Sequence, residues 1–204
     1  YFLYENIFKF LKPLHRNRII IFLLLLLVIS LSPASDVDSL DYHLGVPIQI
    51  MRDEIYKPDF FWIHSRVIGL GEFINLIGIS VGTKNFGSII QFSSILILIK
   101  IFAYVKEHVN SRFNFYLFIF SCPLILTFLI FQKIQLLPNV GLILSIVLFL
   151  DNLKLESKKY FLIAIFILFM SSTFKYSFLI NTFAIFSSFI LINLFNRKIY
   201  KLLL

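Results

Sequence analysis

Residues 176–196 read YSFLINTFAIFSSFILINLFN. The run holds no charged side chain. As a helix it would rise about 30 Å, the thickness of a bilayer's hydrocarbon core. Working outward, the pattern recurs at Phe113–Gln132, Ile134–Leu150 and Tyr160–Phe174, again without charge. Phe86–Val105 carries only Lys100, near one end, where the amine can snorkel to the interface. Leu14–Ser35 makes a sixth run, entered by Arg16 and Arg18. These runs are continuous rather than alternating, which predicts helices and not a barrel.

Composition agrees. The 204 residues are 59% hydrophobic and 15% charged, with a mean hydropathy of +0.89. A soluble domain is nearer 45–50% apolar and about 25% charged. A soluble enzyme, a disordered tail and a collagen-like rod are excluded. The expected fold is an all-α polytopic membrane protein, one transmembrane domain over 1–204 with six transmembrane helices. The single cysteine, Cys122, permits no intrachain disulfide. A formal charge of +8 points to basic cytoplasmic loops and membrane lipids, not to nucleic acid. The chain starts at Tyr1 and stops in Lys201-Leu-Leu-Leu, so a piece of a longer protein is expected.

One weaker run decides direction. Val67–Gly82 is brief and contains Glu72, Asn75 and four glycines. If it does not span, 13 of the 19 Lys and Arg lie on the side of both chain ends. If it spans, the later loops flip and the count falls to 7 of 19. The positive-inside rule selects the first count. It predicts cytoplasmic ends, as in a bacterial inner membrane, and Val67–Gly82 as an amphipathic helix on the outer surface.

The loop 33–85 is then extracytoplasmic and holds seven of the eleven acidic residues. Asp36 or Ser39 can cap a short helix running to about Leu44. Gly45 and Pro47 break it, and Pro47 suits the first turn of a second helix through Glu54. Short juxtamembrane helices are expected, with Phe60-Phe61-Trp62 as an interfacial anchor. Two later turns reach the same face: Gln132-Lys133-Ile134-Gln135, and Lys175-Tyr176. Lysines there run against the positive-inside tendency, which gives them a functional reading.

The stretch Asp38-Ser-Leu-Asp-Tyr-His-Leu-Gly-Val-Pro resembles the first-loop motif of GT-C glycosyltransferases. The nearest are protein mannosyltransferases (family 39) and bacterial aminoarabinose or sugar transferases that use polyprenyl-phosphate donors. That motif is an Asp, often followed by Glu, with an aromatic residue four positions on. Asp38 and Tyr42 match it, and Ser39 stands where Glu is common. Ser172-Thr-Phe-Lys175-Tyr is similar to the family's Thr-Lys-Gly-like outer turn. The family's Asp-Pro near a later span is represented by Leu137-Pro138, without the acid, leaving Gln132, Lys133 and Gln135 nearby to do its work. Family members are longer than this chain.

The resemblance implies sugar transfer from a polyprenyl-phosphate lipid to a glycan, lipid or protein acceptor. Asp38 would be the general base. Lys175 first, Lys133 second and Arg66 would meet the donor phosphate. Tyr42, His43, Gln132 and Gln135 would bind substrate. No cofactor is expected. Asp36-Val-Asp38 has the Asp-x-Asp form of divalent-metal sites, but two acids with one spacer recur by chance. The alternative is a non-enzymatic transporter or lipid-handling protein, which would bury polar groups at the span centres. Those centres are nearly bare here, with Ser145, Ser187 and Ser188 the main exceptions.

Overall fold

The structure, a computed structural model, describes residues 13–58, 61–62, 66, 68–109, 122–155 and 158–203. Every regular element among them is helical. In order they are α1 (Pro13–Ser30), a π-helical turn (Ser39–His43), α2 (Gly45–Asp53), α3 (Leu70–Ser80) and α4 (Phe86–Val109). Then come α5 (Pro123–Ile130), α6 (Leu136–Leu155), α7 (Lys158–Ser172) and α8 (Ser177–Leu203).

Three helices are long and apolar enough to cross a membrane: α4 over Phe86–Val105, α6 over Leu136–Leu153 and α8 over Ser177–Phe195. They mark the chain as a membrane protein. The helices at the other expected runs do not reach that length. The apolar part of α1 is Ile19–Ser30, because Pro33 disfavours helix at Ser32. Helix α7 has 15 residues. Of the run 113–132, residues 113–121 lie outside the described residues, and α5 accounts for eight of the rest.

The chain divides into two units, Tyr1–Leu136 and Leu137–Leu204. In the first, α1, α4 and α5 pack against one another. Leu26, Ile95, Ile99 and Leu129 are fully buried among them. The long connection from α1 to α4 returns to where it left, since Asn85 Nδ2 donates to the Leu31 carbonyl at 2.7 Å. Within that connection α2 packs on the π-helical turn and on α3, and α3 packs on α4.

Helix α3 is amphipathic in the opposite sense to a water-facing surface helix. Gly71, Glu72, Asn75 and Gly78 form its buried face, while Phe73 and Ile77 are exposed. Its eleven residues rise roughly 16 Å, too little to cross a bilayer. The glycines allow close approach: a Cβ on Gly78 would lie 2.3 Å from that of Phe86. Gly82, at φ +83, ends the helix. There Thr83 N–H bonds the Gly78 carbonyl and Gly82 N–H that of Ile79, both at 2.9 Å.

The connection from α5 to α6 leaves backbone groups without helical partners, and the start of α4 supplies them. Gln91 Nε2 donates to the carbonyls of Phe128 and Phe131. Its Oε1 accepts the N–H groups of Gln135 at 3.0 Å and Leu136 at 2.8 Å. One side chain thus closes both the end of α5 and the start of α6.

In the second unit, Leu142, Phe149, Ala164, Leu168, Phe178 and Phe189 form the core. Phe149 and Phe189 stack with centroids 3.9 Å apart. A Cβ on Gly141 would lie 2.3 Å from Ser171 Oγ, the small-residue contact that lets apolar helices approach closely.

Replacing Gln91 by Leu keeps the bulk and strands the Gln135 and Leu136 amides. Each stranded group should cost about 1–3 kcal/mol. Thermal unfolding of the detergent-solubilised protein should show a large loss. An unchanged midpoint would mean that Gln91 does not close the break.

Candidate functional site

The polar residues of the first unit converge where the π-helical turn, α3, the start of α4 and the α5–α6 connection meet. Asp36 begins the construction. Its Oδ1 accepts the Ser39 N–H at 2.7 Å and caps the turn. Leu44 N–H reaches the Ser39 carbonyl at 2.9 Å, the wider closure that makes the turn π-helical. Asp38 sits at the head of the turn with its side chain 61% exposed. Its Oδ2 lies 3.4 Å from Lys133 Nζ, in the α5–α6 connection.

Beneath this pair the groups are buried. Ser39 Oγ accepts the Gln132 N–H at 2.9 Å. Gln132 Nε2 donates to Ser88 Oγ at 2.7 Å, and its Oε1 accepts the Ser88 N–H at 3.3 Å, an amide in the first turn of α4. Asn75 Nδ2 donates to the carbonyls of His43 at 3.0 Å and Gln132 at 2.9 Å. Ser39, Ser88 and Gln132 have no exposed surface.

Glu72 ties the far end of the turn to α3. Its Oε2 accepts the Gly69 N–H at 2.7 Å, a reach-back that caps α3. Its Oε1 lies 2.7 Å from His43 Nδ1. Against a carboxylate, Nδ1 is the donor, so a neutral ring carries its lone pair on Nε2. Among the described residues His43 Nε2, Asn75 Oδ1 and Asp36 Oδ2 are buried without a hydrogen-bond partner. The Tyr42 ring lies 3.9 Å from that of His43. Burial first, then the charge of Glu72, a hydrogen bond to Glu72 and the charge of Asp38, push the Tyr42 phenol above its ordinary value near 10.

The residues expected from sequence therefore fall in several places. Asp38 and Lys133 are brought together. Tyr42, His43 and Gln132 are buried in the supporting layer. Gln135 is half-buried, with its N–H on Gln91. Arg66 is exposed in the connection before α3. Lys175 lies half-buried at the α7–α8 turn of the second unit. Of the Asp-x-Asp pair, Asp36 caps the turn and Asp38 faces Lys133. Among the described residues no group of three His, Cys, Asp or Glu could hold a metal ion.

Sequence reasoning missed Ser88 and Gln91, and did not see Glu72 and Asn75 as partners of the turn. Their signal was present: polar side chains on an apolar helix require partners, because an unpaired buried polar group is costly.

The family model described as the DUF1420 N-terminal domain matches residues 2–204. The chain belongs to this family. No curated protein and no solved structure matches it. The polar layer thus lies within the DUF1420 N-terminal domain.

Glu72→Leu removes the acceptor of several buried donors and should cost roughly 3–5 kcal/mol, read as a lowered unfolding midpoint. The raised phenol makes a second expectation. Tyr42 in the folded protein holds its proton past the ordinary phenol range. Its contribution to stability is therefore intact below about pH 10 and declines as pH rises above it. Tyr42→Phe should leave the alkaline phenolate absorbance curve unchanged up to unfolding. Loss of one phenol's absorbance near pH 10 would contradict the burial.

Proposed function

We propose that this chain is a membrane-embedded glycosyltransferase module of the GT-C type. It moves a sugar from a polyprenyl-phosphate lipid to an acceptor hydroxyl on the extracytoplasmic face. The observation that carries the reading is the Asp38–Lys133 pair, 3.4 Å apart across 95 residues of chain. It sets a carboxylate and an ammonium beside each other at the surface of a membrane protein.

The proposed topology has six spans, both ends cytoplasmic, in a bacterial inner membrane, with 33–85 outside. The bond from Asn85 to Leu31, which brings both ends of that connection together, supports it. The shortness of α3 and its inward polar face also support it.

The chemistry needs two charges. The acceptor hydroxyl gives its proton to Asp38 as its oxygen attacks the anomeric carbon. The bond from that carbon to the phosphate oxygen breaks, and the electron pair leaves with the phosphate. Lys133 meets the growing negative charge. A single direct displacement inverts the anomeric carbon. An exposed ion pair is worth about 0–1 kcal/mol, so a lipid phosphate can draw Lys133 away. Asp38 is then left as an unpaired base. In this reading Lys133 is the principal phosphate ligand. Arg66 and Lys175 remain candidates on residue type and place in the chain.

In the full-length protein, with a labelled polyprenyl-phosphate sugar in nanodiscs, Asp38→Asn should lower transfer by about 10²–10⁴-fold at unchanged expression. Lys133→Ala should raise the donor KM and lower kcat. Wild-type transfer by Asp38→Asn would remove Asp38 as the base.

A further inference from the structure

An exposed ion pair is too weak to hold its own geometry. Something else must set the distance from Asp38 to Lys133, and the structure offers it one residue away on each chain segment. Ser39 follows Asp38 and Gln132 precedes Lys133. Ser39 Oγ accepts the Gln132 N–H at 2.9 Å, with both residues fully buried. Asn75 then grips the same segments a second time, donating to the His43 carbonyl at the end of the turn and to the Gln132 carbonyl. Two bonds to one segment fix its position and its direction. A buried bond without competing water holds more firmly than the exposed pair above it.

Helix α4 leaves room for this arrangement. A Cβ built on Gly87 would lie 2.4 Å from Asn75 Oδ1 and 2.9 Å from the Gln132 carbonyl. Alanine is normally the better helix former. Here it would enter the space that Asn75 and Gln132 occupy.

We propose that Ser39, Asn75 and Gln132 are positioning residues that set the Asp38 carboxylate against the Lys133 amine, with Gly87 as the space they require. The proposal gives Gln132 a positioning task rather than a substrate contact. Its functional weight rests on the reading of Asp38 as base and Lys133 as phosphate ligand. The geometric claim stands apart from that reading and can be tested without an assay of transfer.

A carbodiimide joins a carboxylate to an amine with no spacer, so it reports their contact directly. The full chain in nanodiscs should give an isopeptide between Asp38 and Lys133, identified by peptide mass spectrometry and absent in Asp38→Asn. Ser39→Ala deletes one oxygen, and Gly87→Ala adds one methyl. In the monodisperse, helical fraction of each variant the cross-linked peptide should be mostly lost, and Ser39→Thr, which keeps the hydroxyl, should restore it. A purely structural role would lower the amount of folded protein and leave its cross-link yield unchanged. Wild-type yield in folded Ser39→Ala and Gly87→Ala, or no cross-link in the wild type, overturns the proposal. Transfer by Asp38→Asn, with the expected cross-link yields in the wild type, Ser39→Ala, Ser39→Thr and Gly87→Ala, would overturn the catalytic reading alone.

Discussion

The geometry of the first unit depends on one requirement: backbone groups at the break between α5 and α6 must find partners inside the protein. Apolar surroundings offer them no water, and each group left unpaired costs about 1–3 kcal/mol or more. Gln91, Ser88 and Ser39 supply those partners from other segments. The set outweighs an exposed ion pair, worth about 0–1 kcal/mol at most. The buried bonds therefore decide where the break sits, and Lys133 arrives beside Asp38 as a consequence.

The same requirement explains why α3 is turned inside out. In water its Phe73 and Ile77 would face inward and its Glu72 and Asn75 outward. Here the polar side chains serve the π-helical turn and the α5–α6 break, and the apolar ones face away from the protein. Lipid is a suitable neighbour for such a face, since α4, on which α3 packs, is itself of membrane length. A helix too short to cross the bilayer thus links the turn that presents Asp38 to the segment that presents Lys133.

Much of this was legible in the sequence, for local reasons. Long apolar runs give the helices α4, α6 and α8, because membrane length needs only a count. Two short elements follow one another in the first loop as local propensity predicts, with Gly45 opening the second; of the two expected caps, Asp36 and Ser39, it is Asp36 that accepts the capping bond. What stayed hidden is pairing at long separation. Glu72 and Asn75 announce that they need partners but not which ones, and their partners lie 29 to 57 residues away. Ser39 read as a departure from an Asp-Glu motif; its hydroxyl instead meets an amide 93 residues further on. Gln91, a polar residue near the start of an apolar helix, likewise signals a need for partners without naming them. The apolar count also overestimated α1, expected to Ser35 and ended at Ser30, since it ignores the proline that follows the helix.

Hydrogen exchange tests the central requirement most directly. In nanodiscs the amides of Gln132, Gln135 and Leu136 should exchange far more slowly than those of an open loop, because each is held by a buried side chain. Exchange of these three at the rate of a solvated turn would show that the break is open to water. The buried layer could then not be what sets Asp38 beside Lys133.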